Sequence, residues 1–167
     1  MAESAKLLVL GPPDGGHSSF VSSVSEVKIR SSARTPTGSA EGFVPMDFGR
    51  VRIAIDLDLQ LFGFERDQAA KVVDAVSPGI VGAILLVDQH DSVDPHYAAR
   101  ALDELSQRGI VTVLGVTEAG IDSGALARSL GAPESRVIFV LDTERETVKQ
   151  AVLAVLEAAL QAEESAA

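Results

Sequence analysis

Residues 7–20 read LLVLGPPDGGHSSF, an apolar run followed by a turn of glycine and proline and then the start of a helix. Gly11, Gly16 and Ser18 fall at the spacing of the phosphate-binding pattern G-x-x-x-x-G-K-[ST], and Ser19 follows directly. In that pattern backbone N–H groups and a helix N-terminus hold phosphate oxygens through aligned dipoles. The lysine adds a full positive charge at the β- and γ-phosphates, and the hydroxyl after it holds magnesium. This chain keeps the hydroxyl, as Ser18, but carries His17 where the lysine belongs. An imidazole is shorter and planar, and near neutral pH it is charged only part of the time, so it does not reproduce the lysine contact. Losing one charge-assisted hydrogen bond of this kind costs about 1.5–3 kcal/mol, roughly one to two decades in affinity. Asp14, inside the same loop, would face a negative ligand with a negative charge. The plain alternative for His17 is a partly exposed histidine at a helix start.

Other residue types that carry chemistry are scattered. Glu65, Asp67 and Gln68 could polarise or orient a water, and their ordinary alternative is a solvated acidic face. Asp88 ends the run LLVD, as the phospho-acceptor of a receiver domain would. That fold also needs an acidic pair after its first strand and a lysine after its fifth, where this chain has Gly11-Pro12-Pro13 and Thr117-Glu118. His90 and His96 lie far from other ligand types and read as exposed loop histidines.

The elements that position these groups follow from periodicity. Residues 6–10 (KLLVL) form a short buried strand, and Phe20, Val21, Val24 and Val27 fall at helical spacing after it. Residues 30–42 (RSSARTPTGSAEG) have no apolar side chain larger than alanine and read as a loop. From Val51 to Leu61 every odd position is apolar, the period of strands with one wet face, with room for a hairpin turning near 54–56. A helix is expected from about Glu65 to Val76, then the all-apolar strand IVGAILLVD, which belongs in the middle of a parallel sheet. Asp94-Pro95 starts a helix with the stripe Tyr97, Ala98, Ala101, Leu102 and Leu105, stopped by Gly109. Residues 110–116 form another buried strand, Asp122 caps a short helix ending at Gly131, and residues 137–141 (VIFVL) form the last strand. Thr143 to Glu146 fits a capping box that opens a closing helix through Val148, Val152, Val155 and Ala159. This alternation specifies an α/β fold with a single doubly wound, mostly parallel sheet and one antiparallel hairpin strand.

With 167 residues the chain is expected to make one domain over 1–162 and a frayed tail over 163–167. There are no cysteines, which excludes disulfides and thiolate chemistry. The longest apolar run, Ile80–Val87, is far short of the ~20 residues that cross a bilayer. The start MAESAK lacks a secretion signal, so a cytoplasmic protein with no membrane span is expected. A net charge of −10 repels phosphate backbones, and nucleic acid is set aside as a partner.

Taken in order, four stretches resemble bacterial Ras-like small GTPases of the Arf-like or Mgl-type branch, which works beside roadblock-domain proteins. LGPPDGGHSSFVSSVSEV resembles the phosphate loop and first helix, which in that branch read GPxGAGKTTF and onward. VPMDFGRV resembles the strand after the first switch, with its Asp-Phe-Gly run. LQLFG resembles the strand before the second switch, usually followed by TPGQ-E-R, and LDTERETVKQAV resembles the last conserved loop and closing helix.

The resemblance implies specific departures. The family's switch threonine falls on Phe43, which has no ligand atom; Thr35 and Thr37 lie farther upstream. Gln68 is displaced from the position of the water-orienting glutamine. The guanine-reading Asn-Lys-x-Asp falls on Thr117-Glu118-Ala119-Gly120, which lacks every one of those groups, and a base site without its partners loses discrimination steeply. The expected function is therefore a degenerate small GTPase, a signalling or polarity interaction module with little or no GTP binding or hydrolysis and no cofactor. The alternative is a weak but genuine GTP-binding switch, with GTP or GDP and magnesium held by Gly11, Asp14, Gly16, His17, Ser18 and Ser19, Ser18 being the metal ligand. A third reading keeps only the loop, as an anion sensor. On the family's partner face, Phe43, Pro45, Met46 and Phe64 are the apolar candidates for a roadblock-type protein, or else ordinary core.

Overall fold

The computed structural model describes residues 3–12, 16–25, 27–34, 43–76, 78–118, 120–132, 136–140 and 144–166. Seven strands form one sheet in the order β2-β3-β4-β1-β5-β6-β7. They are β1 (Glu3–Gly11), β2 (Val27–Arg34), β3 (Phe43–Ala54), β4 (Leu57–Glu65), β5 (Ile80–Val87), β6 (Thr112–Val116) and β7 (Val137–Phe139). The helices are α1 (Gly16–Val24), α2 (Ala69–Val76), α3 (Gln89–Val93), α4 (His96–Gln107), α5 (Ser123–Leu130) and α6 (Arg145–Ala166). β3 is antiparallel to both of its neighbours, whereas the other pairings are parallel. The doubly wound, mostly parallel sheet expected from the alternating pattern is what the chain forms.

Side chains alternate between the two faces of the sheet and build two cores. One holds Leu7, Val9, Leu59, Leu61, Ile84 and Leu86 against Phe20 and Val21 of α1 and Val148, Val152 and Val155 of α6. The other holds Leu8, Leu10, Phe64, Leu85 and Val87 against α2, α4 and α5. β5 is buried on both faces over 82–87, as its unbroken apolar run requires. Gly109 and Gly131 follow α4 and α5 with φ of 68° each, a left-handed conformation that glycine adopts without a Cβ penalty.

Several local expectations change. α1 ends at Val24, and Val27, read as the next turn of the helical stripe, instead opens β2. Residues 27–34 pair antiparallel with 43–50, so the expected loop at 30–42 is an edge strand as far as Arg34, and 35–42 lie outside the described residues. An edge strand answers to one neighbour only, and the polar run KIRSSAR satisfies it through backbone hydrogen bonds. The helix expected from Glu65 is a strand end followed by a 3-10 turn, Arg66–Gln68, before α2 begins at Ala69. The hairpin turns at 55–56, within the predicted span, and leaves Ile55 94% exposed at its tip. A short helix absent from the periodic reading, α3, is fixed by a capping box in which the Asp88 and Asp91 side chains each accept from the other's backbone N–H. α6 carries on through Ala166, into the stretch read as tail. Thr143 of the proposed capping box there lies outside the described residues.

Candidate functional site

The start of α1 lies back against the end of β1. A Cβ on Gly11 would lie 2.7 Å from the His17 backbone nitrogen and 3.1 Å from its Cβ, so only glycine admits this return. Gly16 and His17 are the first residues of α1, and both are buried. His17 is 6% exposed, which corrects the reading of a partly exposed histidine. Its ring packs beside Gly63, where a Cβ would stand 3.1 Å from Val21 Cγ2, 3.3 Å from His17 Cδ2 and 3.5 Å from Asp47 Cβ, so the glycine eases the fit. Asp47 is the register partner of Gly63 across β3 and β4.

That register puts a carboxylate where the loop's two polar side chains meet. His17 Nε2 is 3.3 Å from Asp47 Oδ2. Ser18 donates its hydroxyl to the same oxygen. Phosphate-loop proteins use a loop Ser/Thr and an aspartate together to hold magnesium. Here the hydroxyl and the carboxylate hold one another, and the residue at the lysine position is turned to the same carboxylate. Gly11, Gly16, His17 and Ser18 are thus brought together, while Ser19 is exposed on the outer side of α1. Asp14, Thr35 and Thr37 lie outside the described residues.

The segment after β4 carries the second notable group. Arg66 is 8% exposed and sets its Nη1 2.5 Å from Asp91 Oδ2 on α3. The same oxygen accepts the Asp88 backbone N–H at 2.9 Å. Burial is the main influence on the Asp91 carboxyl and pushes it above its usual range, against the pull of Arg66. Gln68, weighed as a water-orienting residue, approaches its neighbour Asp67 at 3.4 Å.

Glu65, where β4 ends, also has its carboxyl held above the usual range, by burial first and then by Asp67. A carboxyl raised in the native state binds its proton there before it does in the unfolded chain. Its contribution therefore declines as pH rises from about 4.5, the unfolded value, through the native one. Glu65→Gln is expected to stabilise the fold above that window and to have no such advantage below it. Urea midpoints at about pH 4 and 7 test this; equal differences at both would count against it.

After β6, Thr117 directs both its backbone N–H and its hydroxyl to the Val87 carbonyl, at 3.0 and 3.2 Å. Glu118 is exposed, and Asp122, the next carboxylate, accepts from Ala125 N as the cap of α5. Among the described residues of this loop, none presents the carboxylate, amide and ammonium set that reads guanine. His90 and His96 are both exposed and belong to α3 and α4 rather than to loops.

The apolar partner-face candidates divide. Phe64 is fully buried in the core shared with α2, so it offers nothing to a partner: its strand position points inward, where sequence allowed either face. Met46 is partly buried against that core. Phe43 and Pro45 are in β3, paired with Arg34 and Ser32. Sequence reasoning missed Asp47, Arg66 and Asp91 as site residues. Asp47 was visible inside MDFG as a marker, but the reach of His17 to it depends on a strand register that no spacing reveals.

The mostly parallel sheet, with Gly11 at the end of β1 packed against the first turn of α1, is an α/β fold of the small-GTPase type. Solved structures similar to it include proteins bound to guanine nucleotides. The cytosolic domain of the T. maritima FeoB iron transporter in a GDP form matches with a TM-score of 0.65 at 19% identity, over 95% of this chain and 64% of that one. Aquifex aeolicus Era bound to GDP and aluminium fluoride, as a point variant, matches with a TM-score of 0.60 at 10% identity, over 93% of this chain and 57% of that one. The chain therefore spans less than two thirds of the length of either neighbour. No family model matches the sequence, and neither does any curated protein. The likeness is one of fold. Among the described residues, no helix is long and apolar enough to cross a membrane.

Proposed function

We propose that this chain is a pseudo-GTPase: a cytoplasmic interaction module with a GTPase fold, formed by residues 1–162, that presents the switch face to a protein partner and holds guanine nucleotide weakly or not at all. The observation that carries this reading is the convergence of His17 and Ser18 on Asp47. The two loop side chains that would meet phosphate and magnesium are engaged by an internal carboxylate. Supporting it, Thr117 is tied to β5, and Arg66 stands, counting from Gly63, where the resembled TPGQ run has its glycine. Loss of three charge-assisted contacts at about 1.5–3 kcal/mol each would move a nanomolar site to roughly micromolar or far weaker.

A second reading, the weak magnesium-dependent switch, is favoured by one feature: Ser18 and Asp47 are already adjacent, as a magnesium pair would be. Calorimetric titration with GTP and GDP in magnesium separates the two. No binding tighter than about 10 μM is expected for the natural chain, and His17→Lys should gain at most roughly one to two decades, because the base contacts stay missing. Submicromolar binding, or guanosine diphosphate released when the purified protein is denatured, would overturn the proposal. The partner proposed is of the roadblock type, and its capture should be the same with GDP as with a GTP analogue.

A further inference from the structure

A cleft of about 480 Å³ opens between Pro12, the 3-10 turn and the α3–α4 corner. It lies beyond the carboxyl ends of β1 and β5, where the sheet order turns from β4 on one side of β1 to β5 on the other. In open α/β sheets this is where ligands bind. It shares Pro12 with the segment that follows β1, but neither His17 nor Ser18 lines it.

The walls carry three carboxylates, Asp88, Asp91 and Asp94, against the single guanidinium of Arg66, with His90 at the exposed rim. Asp91 is 1% exposed, and only one of its oxygens is satisfied: Oδ2 takes Arg66 and the Asp88 N–H, whereas the buried Oδ1 accepts from no described group. A carboxylate offers about four acceptor positions, and buried acceptors left empty in native proteins are rare. Beside these carboxylates stand two large apolar side chains open to water, Val93 at 81% and Tyr97 at 57%.

We propose that this cleft takes a guanidinium or alkylammonium group carried on an apolar stem. The cation would complete the acceptor set at Asp91 and Asp94, the stem would cover Val93, and the Tyr97 ring would face the charge. A hydrated divalent ion fits less well, since among the described residues no three acidic or histidine side chains are grouped so as to hold a metal, and Pro12, Val93 and Tyr97 make part of the wall apolar. The chain's net charge of −10 draws cations toward the site. The cleft's size is in the range of small-ligand sites, about 300–1,000 Å³. A free amine or a basic side chain of a partner protein brings the same chemistry.

The test is calorimetric titration at low salt with three probes: agmatine, a capped short peptide with one arginine, and the same peptide with citrulline. The arginine-bearing peptide or agmatine should bind one-to-one, and the citrulline peptide should not. Asp94→Asn and Tyr97→Ala should each weaken binding about threefold, as a rim charge and a cation–π contact do. Asp91→Asn, checked for an intact melting transition, should weaken it about tenfold or more. Glu163→Gln, which removes an exposed charge on α6 across the sheet, should leave it unchanged. Tighter binding of agmatine would assign the site to a free amine, and tighter binding of the peptide to a protein segment. Equal binding of the arginine and citrulline peptides, or equal weakening by Glu163→Gln and Asp94→Asn, would overturn the proposal.

Discussion

Arg66→Ala is expected to destabilise the protein by about 3–5 kcal/mol at neutral pH, because it leaves the Asp91 carboxylate buried without its countercharge. Exposed ion pairs give no such effect. Arg108, which reaches Asp74 at 2.7 Å and Glu104 at 2.7 Å, joins α2 to α4 at the surface, and Arg108→Ala should cost less than about 1 kcal/mol. The sign of the pH dependence separates the explanations. Arg66 is among the influences that lower the Asp91 carboxyl, so its removal raises that group further. The native variant then holds a proton at Asp91 that the unfolded chain, titrating near 3.8, has released. Its stability falls as pH rises through that interval, and the deficit against the natural protein narrows toward pH ~4. Urea unfolding of both proteins across this range is the measurement. Adding Asp91→Asn to Arg66→Ala should recover part of the loss in a double-mutant cycle. A deficit under about 0.5 kcal/mol would mean that the pair is not buried as the structure has it.

Arg66 and Asp91 also show where sequence reading stops. They stand 25 positions apart, and neither belongs to a recognisable pattern. The apolar strands were legible because their constraint is local: Ile80–Val87 must be buried on both faces, and alternation from Val51 to Leu61 describes a hairpin with one face inward. β2 was not legible, because Phe20, Val21, Val24 and Val27 fit one helical stripe as well as a helix followed by a strand. What decided it was pairing with β3, a contact outside the local window. α3 was missed for a different reason. Its capping box uses aspartate at both ends, Asp88 and Asp91, rather than the hydroxyl-and-glutamate form in which such boxes are sought.

The phosphate-loop cluster lies between these cases. The glycines at 11 and 16 and the hydroxyl at 18 were readable from spacing, because a backbone that wraps a phosphate needs them at fixed offsets. The substitution at 17 was equally readable as a loss. That the imidazole would be buried on Asp47 was not, since it depends on Gly63 leaving space in the next strand and on the Asp47–Gly63 register. A missing motif residue states which contact is gone. Only the packed structure states which contact replaced it.

Phe64→Ala is expected to cost about 3–5 kcal/mol, the range for emptying a buried aromatic site. Phe64 is paired in register with Leu10 and lies in the core with Ala69, Val72 and Val73, so truncation opens a cavity between the sheet and α2. α2 continues directly from the 3-10 turn that Arg66 holds, so the damage should be concentrated beneath residues 65–68. This gives a way to divide the apolar residues of the proposed partner face. If Phe64 acts only through packing, partner capture by Phe64→Ala should fall in proportion to the folded fraction and return to the natural level when a lower temperature restores folding. Met46 is partly buried, and, if the proposed roadblock-type partner docks here, Met46→Ala should keep most of the stability while weakening its capture at every temperature. Melting curves run alongside capture at two temperatures distinguish the two behaviours. A Phe64→Ala protein with an unchanged melting transition would contradict the core position of that ring.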